Sequence, residues 1–258
     1  MIRENTEGLY HSLLRRMEQR ALGKKDEPIV IEEFPGLDGE VAWDPRPISR
    51  DGSERVIRFA FDYAKHRQRK MGVSQSVTCV DKSNVTRGCQ LFRKIFREFA
   101  ERNQDIMVKE AYIDAFTMWL VRNPEDLDVV VLPNMFGDIA TDLASVLQGG
   151  MGMSASANMG PKHMLFEPVH GSSPKHAGKN VVNPIAMVQS VQMMFEALAF
   201  RKKDQNLDTC AEILQSAIQR HFEEGGIVTY DLGGTASTSE VGQAIAMRCE
   251  SMLKERFP

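Results

Sequence analysis

DVVVLPNMFGDIATDLASVLQGG, residues 128–150, is the stretch whose reading decides the fold. Val129 to Leu132 is an apolar, mostly β-branched run, short enough to be one buried strand. Pro133 and Asn134 interrupt it, and beyond them the apolar residues recur at helical spacing. A buried strand that passes directly into a helix is the repeating unit of a parallel α/β sheet. On that helix Asp138 and Asp142 are four residues apart, so both carboxylates leave one face, just past the carboxyl end of a strand. Two readings fit this spacing. One is a site for a hard divalent cation such as Mg²⁺ or Mn²⁺. The other is an amphipathic helix with an acidic solvent face.

Working toward the N-terminus, the alternation continues. Residues 111–121, AYIDAFTMWLV, read as a helical segment bearing Asp114, led into by a short strand from Asp105 to Lys109. Before that lies a helix with Leu91, Ile95, Phe96 and Phe99 at core spacing. A strand from Ser76 to Val80 precedes it and delivers Asp81 and Lys82 at its end. Ser53 to about Lys70 is an amphipathic helix burying Val56, Ile57, Ala60, Phe61 and Ala64. Strands alternating with helices predict parallel pairing. Ahead of them, Asp26 to Ser49 carries Pro, Gly and β-branched residues in short groups, the pattern of an arm rather than a core layer. His11 to about Lys25 is helix-like and basic, the pattern of a solvated face. Ile2 to Tyr10 packs Arg3, Glu4, Asn5, Glu7 and Tyr10 closely together.

Toward the C-terminus the texture changes. GGMGMSASANMG, residues 149–160, reads as a flexible crossover between lobes, and its methionines as gap-fillers. Phe166 to Asn183 reads as a loop. Pro184 opens a helix where its missing N–H costs nothing, with Val188, Val191, Phe195 and Leu198 as the buried stripe. A further helix is expected over Asn206–Glu223, then a turn at Gly225 and Gly226 and a strand-like IVTY at 227–230. Ser237 and Glu240 have the spacing of a capping box for a last helix.

Composition bounds the function. With 42% hydrophobic and 26% charged residues and a net charge of −3, the chain lacks the basic excess of a nucleic-acid binder. No apolar stretch is long enough to span a bilayer. The charged start MIRENTEG does not resemble a secretory signal. Four scattered cysteines, Cys79, Cys89, Cys210 and Cys249, have no CxxC pairing and suit a reducing, cytoplasmic compartment.

Polar residues gather at element ends: Arg3 with Tyr10, Lys82 with Asn84, Asp114, and Asn134 with Asp138 and Asp142. Singly each is ordinary surface chemistry. Together they are a carboxylate-gripping Arg, a Lys and a Tyr able to move protons, and acids able to hold a cation. RENTEGLY, VDKSNV, AYIDAF, NMFGDIATDLA and EPVHGSSPKHAGKNVVNP then occur in the order and spacing of the metal-dependent β-decarboxylating dehydrogenases. These include isocitrate, homoisocitrate, isopropylmalate and tartrate dehydrogenases. The chain resembles that family from Arg3 almost to its end, least in the Asp26–Ser49 arm.

The resemblance implies an isocitrate/isopropylmalate dehydrogenase-like α/β fold. Residues 1–148 would be a small substrate, metal and dimerisation domain with its arm over about 11–52. Residues 149–258 would be the C-terminal part of a large, parallel-sheet cofactor domain. It implies that Arg3 binds a substrate carboxylate with Asn84 nearby, that Tyr10 protonates the enol, and that Lys82 manages the hydroxyl proton in the neighbouring subunit's site. Asp138 and Asp142 would hold Mg²⁺ or Mn²⁺ within the subunit, with Asp114 reaching the metal from a second copy, which requires a homodimer. Asn134 would lie near the nicotinamide end. His170, Gly171, Asn183 and Tyr230 match cofactor-contacting positions. Lys175, followed by His176, stands where NAD-preferring members tend to carry an Asp, which favours NADP over NAD, while Gly234 stands where NADP-specific members can place a second basic residue.

RENTEG favours the isocitrate, homoisocitrate and tartrate branches, and an isocitrate-type 2-hydroxy acid is the expected substrate. No membrane or nucleic-acid partner is expected. The expected place is the cytoplasm, or the mitochondrial matrix of a eukaryote if a transit peptide has been lost. Family members normally carry a long segment ahead of the RENTEG motif. The expectation is therefore a fragment or shortened form, whose activity alone is impaired, or a non-catalytic subunit that assembles with a full-length paralogue.

Overall fold

The computed structural model describes residues 1–10, 21–23, 45–71 and 76–256. The expected basic helix and most of the arm over about 11–52 lie outside these residues. Contacts divide the chain into two compact units, Met1–Ala144 and Ser145–Pro258.

The first unit is built on a four-stranded sheet. Its strands are β1 (Ile2–Arg3), β2 (Ser76–Asp81), β3 (Met107–Tyr112) and β4 (Val129–Leu132), in the order β1-β4-β2-β3. All three pairings are parallel. Between the strands run the helices α1 (Arg50–Met71), α2 (Arg87–Arg102) and α3 (Ile113–Arg122), and α4 (Asn134–Leu147) follows β4. The strands alternate faces as the pleat requires. Val77, Cys79, Val129 and Val131 pack with Phe61, Phe96 and Ile57 in one layer, while Val80, Val130 and Leu132 pack with Phe116, Phe136 and Ala140 in the other. Helices therefore cover both faces, which is why β2 and β4 are buried at every position. Each fully buried Phe contributes on the order of 1.5–3 kcal/mol.

β4 has the boundaries read from the sequence. β3 does not: Ala111 and Tyr112 belong to the strand rather than to the helix. The parallel register pairs them with Val80 and Asp81, and the ladder overrides the local helical pattern.

The second unit holds β5 (Ala155–Met159), β6 (Met164–Pro168), α5 (Ile185–Lys202), α6 (Gln205–Glu223) and α7 (Thr238–Arg256). Within the segment expected to be a flexible crossover, Ala155–Met159 is a strand. β5 pairs antiparallel with β6 from Ala155 opposite Pro168 to Met159 opposite Met164. Cross-strand pairing orders a stretch whose small residues carry little local preference.

On α5 the expected stripe of Val188, Val191, Phe195 and Leu198 is only half-buried, and the buried positions are Ile185, Ala186, Ser190 and Ala199. The helix meets β5, β6 and α6 on several sides, so its large side chains share cover instead of forming one seam. The IVTY segment has no ladder partner among the described residues, and Tyr230–Leu232 is a 3₁₀ turn. Two caps are as the residue types dictate. Asp204 accepts from the amides of Asn206 and Leu207 at the start of α6. Ser237 and Glu240 close a reciprocal box at α7, with Ser237 N donating to Glu240 Oε2 at 2.8 Å. No helix among the described residues is long and apolar enough to cross a membrane.

Candidate active site

In the first unit the polar residues singled out above follow the carboxyl ends of the parallel strands: Arg3 on β1, Lys82 on β2, Asp114 on β3, and Asn134 and Asp138 on β4. Open α/β sheets place ligands at these ends. Register brings two pairs of ends together. β1 lies beside β4, with Arg3 opposite Leu132. Glu4 N then donates to Leu132 O at 3.1 Å, carrying the pairing one residue further.

Around β1 and β4 the side chains converge on α4. Arg3 donates from Nε and Nη2 to Asn134 Oδ1 at 2.9 and 2.7 Å, and from Nη1 to Asp138 Oδ1. Those bonds take three of its five N–H groups. Tyr10 Oη donates to the other carboxylate oxygen, Asp138 Oδ2, at 2.5 Å, and the Arg3 guanidinium lies over the Tyr10 ring, 5.3 Å from its centroid. The bond to Asp138 raises the Tyr10 phenol above its ordinary value of 10.0, with desolvation adding to it. Asn134 is buried, its amide committed to Arg3 and, through Nδ2, to Glu7 O at 2.8 Å. The position that resemblance places near a nicotinamide therefore orients Arg3. Asp142, one turn beyond Asp138, is exposed.

At β2 and β3, Lys82 Nζ donates to Asp114 Oδ1 at 2.5 Å. This pairing is the main reason that the Asp114 carboxyl sits below its ordinary value of 3.8. Asn84 is exposed in the 83–85 turn. Asp114 is not brought to Asp138 and Asp142 within the chain, and among the described residues no three His, Cys, Asp or Glu side chains form a group that could hold a metal alone. Asp138 and Asp142 offer oxygen donors of the type that a hard cation takes. They fit part of such a site.

In the second unit the expected cofactor residues form a smaller set. His176 and Tyr230 stack with ring centroids 6.0 Å apart. His176 Nδ1 shares a hydrogen bond of 2.8 Å with Ser173 Oγ, Lys175 is exposed and His170 is half-buried. Gly171 has open space where a side chain would be, and Gly178 has φ +74°, a conformation that favours glycine. Asn183 is buried. Its Oδ1 caps α5 at Ile185 N and its Nδ2 donates to Asp231 Oδ2 at 3.0 Å. A Cβ on Gly234 would lie 2.0 Å from Val228 O, so the present turn closes the position expected for a second basic residue.

Several residues that hold these groups were not evident from sequence. Glu4 is buried and accepts from Thr6 N, Glu7 N and Arg55 Nη2, so it ties the 4–7 loop to α1. Glu7 accepts from Ser49 N at 2.8 Å. Arg46 Nη2 reaches Thr86 Oγ1 at 3.2 Å, and its guanidinium lies over Phe136. Asp81, fully buried, forms a two-bond pair with Arg93 and accepts from Ser83 N, anchoring the turn after Lys82. A charge directly after an apolar strand was the available signal for Asp81. Glu7, Arg46 and the Arg55 bond to Glu4 depend on contacts remote in sequence.

The unit is thus a parallel α/β sheet with carboxylate, guanidinium, phenol and ammonium groups at its strand ends. The model of the isocitrate/isopropylmalate dehydrogenase family matches residues 1–245, and the chain belongs to that family. It is 38% identical over 249 residues to the 3-isopropylmalate/3-methylmalate dehydrogenase of Methanocaldococcus jannaschii, covering 96% of this chain and 66% of the relative. It is 37% identical over 255 residues to the homoisocitrate dehydrogenase of the same organism, covering 98% and 63%. The crystal structure of isocitrate dehydrogenase from Methylococcus capsulatus superposes with a TM-score of 0.76 at 35% identity, covering 96% of this chain and 66% of that one. The chain thus spans just under two thirds of the length of these proteins.

Proposed function

We propose that the chain carries out, or contributes the catalytic groups for, NADP-linked oxidative decarboxylation of an isocitrate-type 2-hydroxy acid. The observation that carries this reading is the convergence of Arg3 and Tyr10 on the two oxygens of Asp138. It supplies a carboxylate-binding cation and a protonated phenol beside an acid that can face a metal.

Arg3, held by Asn134, takes a substrate carboxylate through the N–H groups that it does not give to Asn134 or Asp138. Asp138 and Asp142 hold the divalent cation, with Asp114 supplied by a second copy. That Mg²⁺ or Mn²⁺ supplies positive charge where the substrate oxygen becomes negative. The bound nicotinamide supplies the hydride acceptor, and the loop with His170, Lys175, His176 and Tyr230 holds its nucleotide half, Lys175 meeting the 2′-phosphate. Lys82 Nζ, bonded to Asp114 and so supplied with it by the second copy, takes the proton of the substrate hydroxyl. The Tyr10 phenol, kept protonated by Asp138, returns a proton to carbon once carbon dioxide has left.

Exposed Met118, Trp119 and Val121 on α3 and Ile139 on α4 support a homodimer that covers an apolar face. The four free cysteines support a cytoplasmic setting.

The test is NADPH or NADH formation with Mn²⁺ or Mg²⁺ from isocitrate, homoisocitrate, isopropylmalate and tartrate, run on the protein and on Asp138→Asn. Turnover of isocitrate that the substitution abolishes supports the reading. A preference for isopropylmalate moves the substrate assignment. No turnover of any of the four acids, with tight association to a longer homologue, replaces it with a non-catalytic subunit.

A further inference from the structure

We infer that His221 is a positioning residue that fixes the turn at residues 227–236, and so the placement of Tyr230 and Asp231. The inference rests on the reading that this turn meets the cofactor. His221 lies three residues before the C-cap of α6, fully buried. Its backbone oxygen accepts from Gly226 N at 2.7 Å, while Gly225 N donates to Phe222 O at 3.1 Å and Gly225 has φ +67°. These are the two bonds of a Schellman ending.

The imidazole adds a second clasp. Its Nε2 is 2.8 Å from Ile227 O, and a carbonyl only accepts, so Nε2 carries the proton. Nδ1 is buried without a hydrogen-bond partner among the described residues and rests on the bare face of Gly226, where a Cβ would come within 2.7 Å of it. One ring thereby locks the first residue after the helix.

From Ile227 the constraint passes along a closed chain of bonds. Val228 O accepts from Ala236 N, and Thr229 O from Leu232 N and Gly234 N. The Thr229 hydroxyl donates to Asp231 Oδ1 at 2.5 Å, and Asp231 Oδ2 receives Asn183 Nδ2. Tyr230 is left on the outer side, stacked on His176. Loss of the clasp at Ile227 releases the turn without removing any group that would touch a ligand.

Three full-length variants test this. His221→Gln keeps an amide donor near the Nε2 position, His221→Asn keeps polarity but falls short of Ile227 O, and His221→Leu removes the bond. In the ligand-free protein, hydrogen exchange at the amides of Leu232, Gly234 and Ala236 is expected to quicken roughly fivefold to tenfold in the Asn and Leu variants. It should return toward the original rate in Gln, with the amides of central α6 unchanged. Unaltered exchange in the turn overturns the inference. So does equal acceleration across α6 and α7, which would make the ring only a core filler. Titration with NADP separates the underlying reading: its dissociation constant should rise in Asn and Leu and recover in Gln. A loosened turn with unaltered NADP affinity overturns the cofactor role of Tyr230 and leaves the clasp standing.

Discussion

A Cβ on Gly137 would lie 2.6 Å from Cγ of Arg3 and 2.7 Å from its Cβ, so the stem of Arg3 crosses the first turn of α4 directly over this glycine. Gly137 is helical, so its role is space rather than backbone freedom. Gly137→Ala is expected to push the guanidinium off Asn134 and Asp138 while leaving the sheet intact. Charge-assisted hydrogen bonds of this kind are worth about 1.5–3 kcal/mol. The KM for the acid substrate should therefore rise roughly tenfold to a hundredfold, with a melting temperature close to that of the parent. Steady-state kinetics alongside thermal denaturation checks both halves.

Tyr10 and Asp138 share one proton-donor bond, and the phenol is raised above 10.0 chiefly by it. The sign follows from linkage. A phenol whose folded value exceeds its unfolded value favours the folded protein below the unfolded value, and that favour is lost as pH rises through the folded one. Spectrophotometric titration of the parent should show one tyrosine ionising later than the rest. In Asp138→Asn that tyrosine should return toward 10.0. Tyr10→Phe should remove the late phase and lower turnover by about 10²–10⁴-fold, the usual reach of a positioned acid.

Such pairings explain how much of the molecule was readable beforehand. Val129–Leu132 and the α4 start needed only local pattern, because a buried strand and a Pro–Asn break declare themselves. The β5–β6 pair did not, since Ala155–Met159 has few strand-forming residues and is held by its partner across the hairpin. Asp138 was legible as half of an acidic pair. Its two actual partners, Arg3 and Tyr10, are 135 and 128 residues away, and spacing carries no trace of them. Glu7, Arg46 and the bond from Arg55 to Glu4 escaped for the same reason: each joins segments that only the fold brings near.

Lys82 and Asp114 form an exposed pair whose bond holds the carboxyl below 3.8. A carboxylate lowered on folding stabilises the folded form above its unfolded value, and that contribution is lost as pH falls through the folded value. Asp114 is so exposed that the effect on stability is screened. Carbon-detected NMR titration reads the group directly. In Lys82→Met the Asp114 midpoint is expected to move up toward 3.8, and raised salt should move the parent in the same direction.

Lys175 gives a separate test of nucleotide choice. It is exposed beside the His176–Tyr230 stack, free of the crowding that closes Gly234. An ammonium suits a 2′-phosphate, whereas a carboxylate suits ribose hydroxyls. Lys175→Asp should weaken NADP by roughly tenfold to a hundredfold and leave NAD equal or improved. Calorimetric titration with both nucleotides decides it, and equal weakening of the two would remove the assignment.

The Asp81–Arg93 pair sets the stability of the lysine turn. Asp81 is fully buried, receives Arg93 Nε and Nη2 at 2.8 Å each, and takes Ser83 N at 2.8 Å, while Arg93 Nη2 also reaches Ala111 O at 3.0 Å. The guanidinium thus fastens the ends of β2 and β3 to α2. Arg93→Ala would strand a buried carboxylate, and breaking one partner of such a pair costs about 3–5 kcal/mol. Urea denaturation should show that loss. The double variant Asp81→Asn with Arg93→Met removes both charges and should recover part of it, because the larger share of the cost is the uncompensated charge. If the double variant is no more stable than Arg93→Ala, the turn depends on the hydrogen bonds themselves, and Lys82 is then held by Asp81 through Ser83 N more than by neutralisation in the core.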